Sequence, residues 1–434
     1  MSARTPSAAA GPPGRPGSPG RTPAGPGWAQ ALGTVLAGLV AMGAAAALGL
    51  WAAGAADLPD NAFPRVVVAT LVTAVGGALE MSGDAGDLAA TDAGLTVMPL
   101  SVTLTGALMI ARGFLRPLRH RAEVGAAELA GWAGRIAVLW LLALLGMSFA
   151  ARQTFEVSLG EGLLNDLGDL FGVAPRVGFT TDVPLTVLFG LLWLAGVLVL
   201  ALLASPAAPL PGRLRGLRTS VRPAAYSMVA LLLAYVVIGV VVALVVAGTR
   251  GHPADTFPVL LLGLPNLAWP ALTIGLGATW NGRVEGPFGL PMPQVLDKVL
   301  RTPDVSTVNV GTLAERDGRM WWLLVAAAVL VLAAGFLVAS RSPVRSPAWL
   351  CAVRLAVALA LTVLVISLVG RIRAHYGLSV LGIGDLGGGL AGQLFLRPRW
   401  WGAVGLALLW GLVAGFLGAL LARWVGGRAG RAGS

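Results

Sequence analysis

The apolar body of this chain is written twice. Residues 28–205 and 223–424 carry the same events in the same order. At one fixed offset, Gly54, Pro59, Phe63 and Pro64 match Gly248, Pro253, Phe257 and Pro258. At a second offset, Arg135, Arg152, Asp166-Leu167-Gly168 and Ala195-Gly196 match Arg354, Arg371, Asp385-Leu386-Gly387 and Ala414-Gly415. A tandem, multi-span apolar unit predicts a pseudo-symmetric membrane protein.

Composition excludes a soluble globule. The chain is 56% hydrophobic and 12% charged, against roughly 25% charged in soluble domains. Several apolar runs reach about 20 residues, enough to cross a hydrocarbon core. They do not alternate as the strands of an outer-membrane barrel do. The expected class is therefore all-α and polytopic, with two tandem parallel four-helix repeats. Eight spans are predicted, at 28–55, 93–114, 130–150, 184–204, 224–248, 320–340, 348–370 and 402–423. Segments 63–81 and 257–279 are read as re-entrant or interfacial, the second being interrupted by Pro258, Pro265 and Pro270.

Charge sets the orientation. With eight spans and a cytoplasmic amino terminus, one side holds 18 of the 31 basic residues, and only Glu123 and Glu128 of the 20 acids. If 63–81 and 257–279 also crossed, that side would hold 12. The positive-inside rule favours the first arrangement, with Arg112, Arg116, Arg119 and Arg121 as the main topology determinants. Both termini are then cytoplasmic. Residues 1–27, with seven prolines and six glycines, read as a disordered tail. Residues 206–222 form a basic linker and 425–434 a basic tail. Nine tryptophans near predicted span ends (Trp28, Trp51, Trp132, Trp321, Trp322, Trp349, Trp400, Trp401, Trp424) predict an aromatic belt. The net charge of +11 sits in short loops and points to anionic lipid headgroups on the cytoplasmic side, not to nucleic acid.

Chemistry-bearing positions are sparse. Cys351 is the one cysteine and is expected to be a packing residue. His120, His252 and His375 are scattered away from metal-ligand spacing. No nucleophile elbow or zincin motif occurs. No enzyme activity, cofactor or metal is expected. Glu80 and Asp84 open an acidic, glycine-punctuated stretch on the outer side. They suit a solvated loop or the mouth of a cation pathway. Arg152 with Asp166, and Arg371 with Asp385, form a duplicated polar set. These residues can close the same loop twice or provide a polar site for a charged headgroup or solute. Met98-Pro99-Leu100-Ser101 is read as lying inside a span, as a kink or hinge. The insertion 280–319 breaks the symmetry, contains a short amphipathic pattern at 295–300, and is a candidate docking segment for an envelope protein through 284–315.

Several stretches carry a family resemblance. They are Val97-Met98-Pro99-Leu100-Ser101-Val102-Thr103-Leu104, Gly113 to Arg121, Ala151-Arg152-Gln153-Thr154-Phe155-Glu156, Val221-Arg222-Pro223-Ala224-Ala225-Tyr226 and Gly282-Arg283-Val284-Glu285-Gly286-Pro287-Phe288-Gly289. Together these resemble the streptophobe family, very hydrophobic membrane proteins of streptomycetes and relatives. The likeness covers nearly the whole chain beyond the tail. It implies an actinobacterial plasma-membrane protein and supplies no activity. A shorter likeness, Leu95 to Arg121, is to actinobacterial polytopic proteins associated with cell division. The function expected from these observations is a non-enzymatic scaffold or accessory protein of the cell envelope. The alternative is a small-solute or lipid transporter using the interface between the repeats.

Overall fold

The computed structural model describes residues 27–432, except 58–61, 78, 85–88, 120–124, 152, 157–175, 206–215, 217–219, 251–252, 286–293, 302–303, 344–345 and 381–391. The apolar runs form helices. In the first half these are α1 (Trp28–Ala52), α2 (Phe63–Ala74), α3 (Leu100–Leu115), α4 (Ala126–Ala150) and α5 (Val183–Ala204). In the second half they are α6 (Arg222–Arg250), α7 (Pro253–Pro258), a π-turn over Val259–Gly263, α8 (Leu264–Gly275), α9 (Gln294–Leu300), α10 (Val310–Ala314), α11 (Trp322–Arg341), α12 (Ala348–Val369) and α13 (Trp400–Ala432). Eight helical stretches among the described residues are long and apolar enough to cross a bilayer. The chain is a multi-pass, helical integral membrane protein.

One large element is absent from the sequence expectation. Eight strands form a single antiparallel sheet in the order β3-β4-β1-β2-β7-β8-β5-β6. The strands are β1 (Leu79–Asp84), β2 (Ala89–Thr96), β3 (Gln153–Glu156), β4 (Arg176–Thr181), β5 (Trp280–Val284), β6 (Ser306–Val308), β7 (Ile372–Val380) and β8 (Gly392–Pro398). The first four strands and the last four follow the same order, and β2 joins β7 between them over eight residue pairs, from Ala89↔Val380 to Thr96↔Arg373. These segments are short and mix polar with apolar residues, so no apolar run announces them. Their pairing partners lie up to about three hundred positions away, so no local signal does either.

The sheet fixes which helix ends lie together. Strands abut the ends of α2, α4, α8 and α12 and the starts of α3, α5 and α13 within a few residues. All these ends therefore share one face of the bundle, the sheet end. The opposite ends form the far end. Helices α1 and α3 run antiparallel between them, with Gly106 against Met42, Gly38 against Ile110 and Gly113 against Thr34. The span expected at 93–114 is corrected here. Its helix begins at Leu100, because residues 89–96 are committed to β2. Pro99 is accordingly the residue preceding the helix and not a kink inside it.

Length and connectivity disagree about one segment. Residues 256–275 are long and apolar enough to cross. The segment nonetheless starts just after α6, whose first turn lies at the far end, where the Arg341 guanidinium sits over the Tyr226 ring. It ends with Gly275 against Leu323, at the sheet end of α11. Midway, Leu264 touches Gly239 and the Trp269 indole N–H donates to the Leu232 carbonyl at 3.3 Å. If α6 crosses, the segment enters from the sheet end, reaches mid-depth and returns. Helix α2, only 12 residues long, also ends at the sheet. Two left-handed glycines, Gly76 (φ 93°) and Gly277 (φ 95°), end α2 and α8 and turn the chain towards β1 and β5.

Two separate apolar cores fill the bundle. The first-half core is built around Met42, Ile110, Phe114, Trp132, Ile136, Trp140 and Leu144. The second-half core is built around Leu272, Val331, Leu355, Leu359, Val363 and Ala407, and includes Cys351 as the packing residue expected. Most of the tryptophans expected near span ends are exposed. Trp28, Trp51, Trp321, Trp322, Trp349, Trp401 and Trp424 are all more than half exposed. Trp132, by contrast, is fully buried and its indole N–H donates to the Phe114 carbonyl at 3.1 Å.

Candidate functional site

The two halves meet within the bundle at a polar seam, and two side chains make it. The seam exists because the second-half segment cannot be a continuous helix. Pro258, Pro265 and Pro270 remove donors, and the π-turn ends at Gly263 with a non-helical backbone (φ −133°, ψ 13°). Such a break strands main-chain groups at membrane depth, where each must find a partner.

Ser101, in the first turn of α3, supplies one. Its hydroxyl donates to the Leu260 carbonyl at 3.0 Å and accepts from the Leu264 N–H at 3.1 Å. Those two groups are four residues apart, the donor and acceptor of a single α-helical hydrogen bond. The serine is thus inserted into the helical ladder of the other half, a recognised cause of kinks. Asn266 answers from the other side. Its amide accepts from the Leu100 N–H at 3.0 Å and donates to the Met98 carbonyl at 2.8 Å. Helix α3 has no side-chain cap of its own. Asn266 supplies that cap from the second half, satisfying one orphan donor of the helix start. Met98 and Pro99 follow β2 directly, so the seam also ties the broken segment to the strand that carries the inter-half ladder.

Leu261 and Leu262 complete the seam by packing on Gly49 of α1, where no larger residue fits. The sequence singled out Met98 to Ser101 but not Asn266. A lone asparagine among three prolines carries no motif, and its role depends on a contact 166 residues away.

The predicted site residues scatter. Glu80 and Asp84 lie on β1, with Glu80 in register with Gly94 and Thr180, and Asp84 with Arg176. Arg176 is in turn in register with Glu156. Arg371 is half-buried in the link between α12 and β7. Arg152, Asp166 and Asp385 lie outside the described residues, so neither expected pair is visible. Arg112, Arg116 and Arg119 are exposed at the far end of α3, and Arg121 lies outside the described residues. Among the described residues no three His, Cys, Asp or Glu side chains stand close enough to hold a metal ion.

The insertion forms a third small core. Helix α9 falls where the amphipathic pattern predicted it. Val299, Leu300, Val310 and Leu313 are buried against Trp280, Val284, Val308, Ala374 and Leu394 of the sheet. An Asn309–Thr312 capping box starts α10, and the Thr312 hydroxyl donates to the Thr307 carbonyl of β6 at 2.9 Å. The apolar face of α9 and α10 is therefore used within the chain. Among the described residues of the insertion, those presented outward include Lys298, Glu315 and Arg316, and also Val305.

No family model, curated protein or solved structure matches this chain.

Proposed function

We propose that this integral membrane protein is a non-enzymatic scaffold or accessory protein of the cell envelope, built as two tandem streptophobe-like units. In this reading, α1, α3, α4, α5, α6, α11, α12 and α13 cross the bilayer. Residues 63–81 and 257–279 enter from the sheet end without crossing. The arginine-rich far end, with both chain termini, faces the cytoplasm and anionic headgroups of the plasma membrane. The sheet end faces outward and offers the charged surface of 284–315 to an envelope partner.

One observation carries the reading: the β2–β7 ladder is continuous across the two halves. A carrier that rocks one half against the other would have to break or bend that ladder on the sheet side. The Ser101 and Asn266 seam resists the same motion within the membrane. A rigid platform suits a protein that holds partners. The transporter reading keeps one supporting feature, a broken helix at the interface between halves, where transporters place their sites.

The test is a distance measurement. Spin labels at Arg116 and Trp349, in a Cys351→Ser background, report the separation of the halves at the far end. A single narrow distance in lipid nanodiscs is expected. Two populations would favour transport. Partner docking is tested by charge reversal at Lys298, Glu315 and Arg316, because deleting 284–315 would strip the third core. An unchanged set of co-purifying proteins would count against docking there.

A further inference from the structure

The sheet has two unlike faces in its second half. Residues paired across neighbouring strands share a face, and successive residues along a strand alternate between faces. Ala374, Leu394, Trp280, Val284 and Val308 fall on one face, and all are buried in the third core. Arg373, Phe395 and Arg283 form one row across β7, β8 and β5 on the other face. Arg397 stands two residues along β8 from Phe395, on that same face, with its guanidinium over the Phe395 ring at 5.4 Å. Arg283 is held by Glu285. Arg373 and Arg397 are exposed, so a group from outside the chain can reach both.

These two arginines are diagonal neighbours on adjacent antiparallel strands. Such positions lie about 7–8 Å apart, which lets side chains this long meet at one shared oxyanion. Neighbouring guanidinium groups repel, and an oxyanion taken up by both offsets that. Chain connectivity sets their depth. Arg373 lies four residues after Val369, where α12 ends, and Arg397 three residues before Trp400, where α13 begins. At the strand rise both stand within about 13 Å of an apolar helix end, and an arginine side chain can snorkel along such a distance. The helix ends there are open to lipid: Val365 and Leu368 on α12 and Trp401 on α13 are more than half exposed. The first half lacks the pair. At the offset relating Arg152 to Arg371, Thr154 and Gly178 stand in place of Arg373 and Arg397.

We propose that Arg373 and Arg397 bind the phosphate of a phospholipid headgroup at the foot of the second-half sheet. Each guanidinium offers phosphate two parallel N–H donors, so two of them on a fixed diagonal can hold a headgroup phosphate from two sides. The acyl chains of that lipid lie against the exposed ends of α12 and α13. The inference rests on α12 and α13 crossing the bilayer. It is independent of which face is cytoplasmic and of the scaffold reading.

The test is photolabelling of the full chain in nanodiscs with a phosphatidylglycerol and a diacylglycerol, each carrying a diazirine near the glycerol end of one acyl chain. Labelling at the sheet ends of α12 and α13 is compared with labelling at Val138, Leu142 and Phe149, exposed apolar residues of α4. Both lipids should label α4, and silence there would overturn the bilayer reading and this site with it. Phosphatidylglycerol should favour α12 and α13 over α4, and the diacylglycerol, which lacks the phosphate, should not. Arg373→Gln combined with Arg397→Gln should lower that preference about tenfold. Lys298→Gln, a cation removed from the insertion, should leave it unchanged. A preference shared by the diacylglycerol, or one undiminished in the double variant, would overturn the proposal. Loss of the preference on adding excess inorganic phosphate would keep an oxyanion site and overturn the lipid as its occupant. If the double variant does not fold, the two single substitutions are read instead, and an undiminished preference in both would overturn the site.

Discussion

The two halves share a strand order but are held together by different means. In the first half large side chains fill the space between helices: Trp140 is fully buried and donates its indole N–H to the Gly190 carbonyl at 3.2 Å, and it stacks on Trp193 with ring centroids 5.4 Å apart. In the second half the helices close directly on each other. Gly411 and Gly415 of α13 lie against the backbone of Ala356 and Ala352 of α12, and Gly418 lies against Gly335 of α11. Small residues let membrane helices approach, and the gain comes from backbone packing where lipid offers no hydrophobic drive. The difference shows that one element order can be stabilised by filling a gap or by abolishing it.

Mutations should separate these modes. The largest effect is expected from Trp140→Ala, which leaves a cavity and removes the indole hydrogen bond to the Gly190 carbonyl, and should cost about 3–5 kcal/mol. Reversible unfolding in mixed micelles would measure it. Gly411→Val should cost about 1–3 kcal/mol, since its new atoms meet backbone that cannot rotate away. Gly405→Ala on the same helix meets nothing within 4 Å and should stabilise by about 0.5–1 kcal/mol. Equal signs at Gly405 and Gly411 would break the argument from close approach.

At the seam, Asn266→Ala should cost about 1–3 kcal/mol, because the Leu100 N–H and Met98 carbonyl lose their partner within the membrane. Ser101→Ala should cost less. The two groups it bridges are four residues apart and can bond to each other, straightening the segment. Hydrogen exchange at Leu264 distinguishes the outcomes: protection should persist in Ser101→Ala, and exposure there would mean that the helix does not heal. The smallest effect on stability, near zero, is expected from charge reversal at Lys298 or Arg316, both exposed on the insertion.

The helical spans were legible because each is a local pattern. Apolar runs such as 130–150 and 348–370 match α4 and α12 closely, since a lipid-facing helix satisfies its own backbone and needs no distant partner. The exposed tryptophans and the α9 pattern were legible for the same reason. The span at 93–114 began too early, because Gly94-Leu95-Thr96 reads as apolar continuation whether it is strand or helix.

Of the candidate site, the sequence located one half. Ser101 and its proline were visible, while Asn266 and the broken ladder at Leu260 and Leu264 were not. A hydrogen bond between residues 166 positions apart leaves no periodic trace. The sheet is the extreme case. Glu80-Met81-Ser82-Gly83-Asp84 has the composition of a loop, and only pairing on both sides, with β2 and β4, makes it a strand.

The sequence by itself determined that this chain lives in a membrane and which runs form most of its long apolar helices, because hydrophobic run length acts residue by residue. Only the tertiary structure decided that the halves are joined by a ladder outside the helices and by a shared serine and asparagine within them. Main-chain donors and acceptors are the same at every position. What pairs them is proximity, and proximity is set by the packed whole.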